Sequence, residues 1–160
     1  MRNRGFLPIP DAPLPEWTMT LARLARGGAL GLALTASATL GAQVVVIVSA
    51  KNPVSKITPD QLSQIFMGQA ATFITGGKAE PLDLPEASAL RGDFYTKLIG
   101  KNPAQVKAHW AKQSFSGKGN PPAVIATPAE MVKKVAEHPK FIGYVDKAAV
   151  DASVKVLTVQ

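Results

Sequence analysis

From residue 43 onward the spacing of apolar positions changes repeatedly, and each change marks an element. Gln43–Ser49 (QVVVIVS) is an unbroken apolar, β-branched run, which predicts a buried strand at the centre of a sheet. Leu62, Ile65 and Phe66 then fall at i, i+3 and i+4, predicting a helix to about Met67. Its start is set by Thr58 and Gln61 at capping-box spacing with Pro59 between them, and Gly68 stops it. Gln69–Lys78 reads as a loop or weak hairpin turning at Gly76 and Gly77, and Ala79–Leu84 returns as a strand. A helix from about Ser88 to Ile99 carries the stripe Leu90, Phe94, Leu98 and Ile99, with Gly100 as its left-handed terminator.

Asn102, Pro103 and Gln105 repeat the cap before a helix that carries Val106, His109, Trp110 and Phe115. Thr127, Pro128 and Glu130 open another, with Met131, Val132 and Val135 facing inward, ending near His138 and Pro139. Phe141–Val145 predicts a strand, Lys147–Asp151 a turn or short helix, and Val154–Val159 a last strand. Strands and helices alternate, so the expected fold is α/β: a single three-layer-like domain with a small mixed sheet flanked by helices.

The first forty-odd residues follow another pattern. Arg23 and Arg26 precede the apolar small-residue run Gly27–Leu34, and Ala36, Ser37 and Ala38 follow, the order of a signal peptide. Reading from Met19 gives that signal a conventional length, so residues 1–18 are expected to be a non-native extension, 19–38 the signal peptide and 39–160 the domain. Cleavage is expected after Ala38, with Ala42 as the second choice. The structural alternative is an uncleaved anchor, but the apolar run is short of the roughly 20 residues a spanning helix needs.

Composition adds two constraints. The chain has no cysteine, so an exported domain would rest on its core rather than on disulfides. Removing Arg2, Arg4, Arg23 and Arg26 leaves 14 of the 18 basic residues against 9 acidic ones, and Arg91 is then the only arginine. Guanidinium differs from ammonium in gripping an oxyanion with two parallel bonds. The lysines are scattered singly without interleaved aromatics, and export also argues against a nucleic-acid partner.

The chemistry the chain can support is correspondingly narrow. There is no GxSxG elbow, and neither His109 nor His138 has a partner pattern, so a hydrolytic triad and enzymatic function are not expected. His109 reads as packing and His138 as a favourable contact with a helix C-terminus. Two histidines without cysteine or clustered carboxylates give no metal site, and no cofactor is implied. Ser116–Asn120 (SGKGN) lacks the spacing of a phosphate loop and reads either as a solvated loop or as a lysine-bearing lip.

The stretch PLDLPEASALRGDFYTKLIG (81–100) is different, because a helix start presents unpaired N–H groups and partial positive charge to an anion. Ser88, Ala89 and Arg91 are the candidate contacts there. Two structural readings stand beside that one: Ser88 as a plain N-cap, and Arg91 paired on the surface with Glu86 or Asp93. Ser49, Lys51 and Asn52, just beyond the first strand, are expected to line the same edge, since ligands of open α/β sheets gather beyond the strands' carboxyl ends.

In order, VVVIVSAKNP, ITPDQLSQIFMGQ, PLDLPEASALRGDFY and FIGYV resemble the phosphate-binding proteins of ABC transporters, a branch of the type 2 periplasmic binding proteins. The resemblance runs over most of Val44–Val145 and amounts to roughly one of the two lobes. It implies a periplasmic solute-binding protein that takes phosphate or a related small anion, with an ABC transporter permease as partner. Where that family has an SGT-type turn this chain has Ala87, Ser88 and Ala89, so Ser88 and Arg91 carry over as phosphate contacts. A second reading is an envelope protein-interaction module derived from such a lobe, without ligand binding.

Overall fold

A computed structural model describes residues 43–160, and the expected extension, signal peptide and cleavage sites lie outside them. Six strands form one mixed sheet in the order β2-β6-β1-β5-β3-β4. They are β1 (Val44–Ser49), β2 (Lys56–Ile57), β3 (Glu80–Asp83), β4 (Ala123–Val124), β5 (Phe141–Asp146) and β6 (Val154–Val159). The apolar run of β1 is central, as expected, and runs antiparallel to both neighbours: Val44 sits opposite Asp146, and Val46 opposite Leu157. The outer pairs β3–β5, β3–β4 and β2–β6 are parallel.

Helices α1 (Pro59–Phe66), α2 (Ala89–Phe94), α3 (Pro103–Phe115) and α4 (Pro128–Glu137) cover the two faces. Along β5, alternation assigns them. A Cβ on Gly143 would meet Met131 Sδ at 2.7 Å, so that position faces α4 and is held at glycine by close packing. The next residue, Tyr144, points the other way and stacks on Phe94 at 3.8 Å between ring centroids. This is the expected three-layer arrangement.

Local chemistry sets the helix starts. Thr58 and Asn102 each close a full capping box, with Gln61 and Gln105, and Thr127 accepts from the Glu130 amide. The segment after Ser88 departs from expectation. The α-helix lasts only to Phe94 and passes into a π-helix, Tyr95–Ile99, before Gly100 turns left-handed at φ 73°. Arg91, Phe94 and Tyr95, at i, i+3 and i+4, form the buried face, and the wider turn that follows brings Ile99 onto it, leaving Leu90 and Leu98 only partly buried. Of the residues α3 carries, Val106 and Trp110 are buried, while Phe115 in its last turn is 96% exposed.

Candidate functional site

β3 ends in a carboxylate that enters the core. Asp83 lies on the Tyr144 side of the sheet and is almost fully buried. Its Oδ2 accepts from Arg91 Nε at 3.0 Å and from the Tyr95 hydroxyl at 3.0 Å. Its Oδ1 accepts from the Leu84 amide at 2.9 Å and from the Tyr144 hydroxyl. Four donors therefore surround one carboxylate, which is how a buried charge is made tolerable.

Helical geometry delivers two of those donors. Arg91 and Tyr95 are four residues apart, and the Arg91 guanidinium carbon lies 5.0 Å from the Tyr95 ring centroid. Burial alone would lower the arginine's proton affinity, but the Asp83 charge and its bond to Nε outweigh that and hold Arg91 above its ordinary value. Burial, and then the Asp83 charge, push both tyrosine hydroxyls far above the usual phenol range.

Arg91 is thus 8% exposed and paired inside the domain, not on its surface. The two surface partners considered for it are engaged elsewhere, Glu86 with Lys107 at 3.3 Å and Asp93 with Lys97 at 3.0 Å. Only Nε is used: among the described residues the terminal nitrogens Nη1 and Nη2 make no hydrogen bond. An end-on fork of two N–H groups therefore remains for an oxyanion.

Ser88 occupies the N-cap position by its backbone, and its carbonyl accepts from the Arg91 and Gly92 amides at 3.1 and 3.2 Å. Its side chain makes no capping bond, so the plain cap reading is corrected: the hydroxyl is unspent. Ala89, the first helical residue, is exposed and offers only its backbone.

Ser49, Lys51 and Asn52 are at the other edge. Val48 pairs with Ile142 and Glu80 with Phe141, so the end of β1 lies level with the start of β3. Asp83 is three residues further on, about 10 Å along the strand, and Ser88 lies beyond it. The expectation of a shared edge fails because β1 runs against β5 and β3, and the carboxyl-end rule holds only among parallel strands. Ser49 Oγ donates to the Ala136 carbonyl at 3.3 Å, while Asn52 donates to the Pro139 carbonyl at 2.6 Å and accepts from the Val54 amide at 2.8 Å. These are clips onto the end of α4, and Lys51 stands exposed beside them.

Sequence reading missed Asp83, Tyr95 and Tyr144. The available signal was an acid set between two apolar residues, Leu82 and Leu84, at the inner end of the strand. His109, read as packing, bonds through Nε2 to the Met67 carbonyl at 2.9 Å.

No protein-family model matches the chain, and no curated protein matches it in sequence. Its fold is nevertheless found among solved structures. An ABC-type phosphate transport receptor from Vibrio cholerae superposes with a TM-score of 0.56 at 21% identity, over 71% of this chain and 44% of its own. A Clostridium perfringens protein described as a phosphate ABC transporter substrate-binding protein, solved with bound phosphate, gives 0.58 at 18% identity, over 72% and 44%. PstS from Borrelia burgdorferi gives 0.55 at 17%, over 73% and 47%. The chain spans less than half the length of each, so it has the fold of about one lobe of these transport proteins.

Proposed function

We propose that this protein is an exported, non-enzymatic solute-binding domain that takes phosphate or a related small anion at the Ser88–Arg91 turn. The observation that carries the reading is the half-used guanidinium: Asp83 fixes Arg91 through Nε, and its terminal nitrogens have no partner among the described residues. The Ser88 hydroxyl and the first-turn amides of Ala89 and Leu90 would complete a donor-only cradle. The solved proteins of like fold are named for phosphate transport, which favours the same chemistry. A signal peptide over 19–38, removed to release residues 39–160 into the periplasm, and an ABC transporter permease as partner complete the proposal. No helix among the described residues is long and apolar enough to cross a membrane.

Calorimetric titration with phosphate, sulfate and acetate tests it, alongside Arg91→Lys, which keeps a cation for Asp83 but removes the fork. Heat with wild type and its loss in the variant support the site. No heat with any anion at millimolar concentration sinks the binding function. Binding that the variant leaves unchanged moves the anion elsewhere.

The second reading, an envelope interaction module, has one observation in its favour. Val124, on the edge strand β4 beside Asp83, is 62% exposed, and the next amide, Ile125, bonds to the Asp83 carbonyl at 2.8 Å. An apolar side chain thus stands in solvent at the edge where an anion would bind.

A further inference from the structure

A carboxylate oxygen has two lone pairs, and both oxygens of Asp83 are full. Oδ2 accepts from Arg91 Nε and from the Tyr95 hydroxyl, each at 3.0 Å, and Oδ1 from the Leu84 amide at 2.9 Å and from the Tyr144 hydroxyl. The residue is 3% exposed, which puts it out of reach of a ligand. Its charge cancels that of Arg91, and the two tyrosines, whose hydroxyl pKa values are raised, stay neutral donors. An anion at the turn therefore gains little from net charge, and the direction of each hydrogen bond decides what fits.

Those directions are one-sided. The Arg91 terminal nitrogens, unpartnered among the described residues, can only donate. They also reach solvent, because the one buried side-chain nitrogen or oxygen without a partner among the described residues is elsewhere, on Trp110. The first-turn amides of Ala89 and Leu90 are donors as well. The acids on either side are engaged, Glu86 with Lys107 of α3 at 3.3 Å and Asp93 with Lys97 at 3.0 Å. Asp93 is moreover two residues from Arg91, on another face of the helix. Tyr95 and Tyr144 are fully buried, so their own lone pairs are closed to a ligand. The Ser88 hydroxyl alone can reverse and accept, and then the anion loses one of its donors.

Near neutral pH phosphate keeps at least one P–OH, whereas sulfate keeps no proton. A P–OH set against donors has no acceptor and forfeits a hydrogen bond it makes in water. Taking the Ser88–Arg91 turn as the anion site proposed above, we infer that it takes oxyanions that carry no proton, sulfate among them, and does not select phosphate.

Calorimetry of the full chain with sulfate and with phosphate tests this, in mildly alkaline buffer where both anions carry two charges and differ by that proton. Sulfate should bind at least as tightly as phosphate, and up to about tenfold more tightly, the worth of one unmade hydrogen bond. Both heats should disappear in Arg91→Lys. Phosphate binding more tightly than sulfate overturns the inference and leaves the anion site standing. Heat with either anion that survives Arg91→Lys overturns it too, since that anion sits elsewhere. No heat with either anion removes the site itself, and the inference with it.

Discussion

Two polar clusters are buried at opposite ends of the sheet, and they are spent differently. At the end of β1, Asn52 uses both its carbonyl and its amide on backbone groups of neighbouring segments, and Ser49 ties to α4. These groups are neutral and their bonds are internal, so they act as clips. At the end of β3, an ionised pair is buried, and one member keeps two donors unspent among the described residues. A buried charge pair is a poor device for stability alone, because apolar residues of the same volume do as well or better. The contrast separates a polar cluster that closes the fold from one that also leaves something for a ligand.

Removing one charge should give the largest effect. Asp83→Ala strands Arg91 and two tyrosine hydroxyls in the core and is expected to cost about 3–5 kcal/mol in denaturant unfolding. The double variant Asp83→Leu with Arg91→Leu should regain at least part of that loss. If the single variant cost under about 1 kcal/mol, the pair would not hold the segment as described.

The next prediction concerns alkaline pH. Tyr95 and Tyr144 are the only tyrosines in the chain, so tyrosinate absorbance reports on this cluster alone. Both hydroxyls have raised pKa values in the folded state, while an unfolded phenol ionises near pH 10. Above that pH the folded state binds more protons than the unfolded one, so stability is intact below about pH 10 and falls as pH rises, by about 1.4 kcal/mol per pH unit for each tyrosine. Tyrosinate should appear only together with loss of tertiary structure; ionisation in the intact fold would show that the hydroxyls are not held by Asp83.

At the other cluster, Asn52→Ala leaves the Pro139 carbonyl and the Val54 amide unpaired and is expected to cost about 1–3 kcal/mol without altering any anion response. A change in anion binding there would undo the separation of the two edges. The smallest effect is expected at Ser88. Thr58→Ala and Asn102→Ala remove true caps and should each cost about 1 kcal/mol, whereas Ser88→Ala should stay within about 0.5 kcal/mol of wild type. Equal losses at all three would mean that the Ser88 hydroxyl is a cap after all.

What could be read from the sequence was local. The caps at Thr58, Asn102 and Thr127, the stop at Gly100 and the central strand Val44–Ser49 each follow from neighbours within a few residues, and each is present. The π-turn was hidden because Leu90, Phe94 and Leu98 have the spacing of an ordinary α-helix, and the wider last turn puts Ile99 rather than Leu98 in the core. Asp83 meets Arg91 eight residues away and Tyr144 sixty-one residues away, so its partners depend on strand order, which no local pattern specifies. The misplaced edge of Ser49, Lys51 and Asn52 has the same origin, since β1's antiparallel direction is set by pairing with β5 and β6. The two-residue strands β2 and β4 likewise exist only through their neighbours.

The central claim is that Asp83 holds Arg91 by Nε so that the terminal nitrogens can meet an anion. Nitrogen-15 spectra of the arginine side chain test it most directly, with the Arg91 signals assigned by their loss in Arg91→Lys. Adding phosphate should move the Arg91 Nη resonances and leave Nε in place. Nη resonances unmoved at millimolar phosphate, sulfate and acetate, or a displaced Nε, would contradict it.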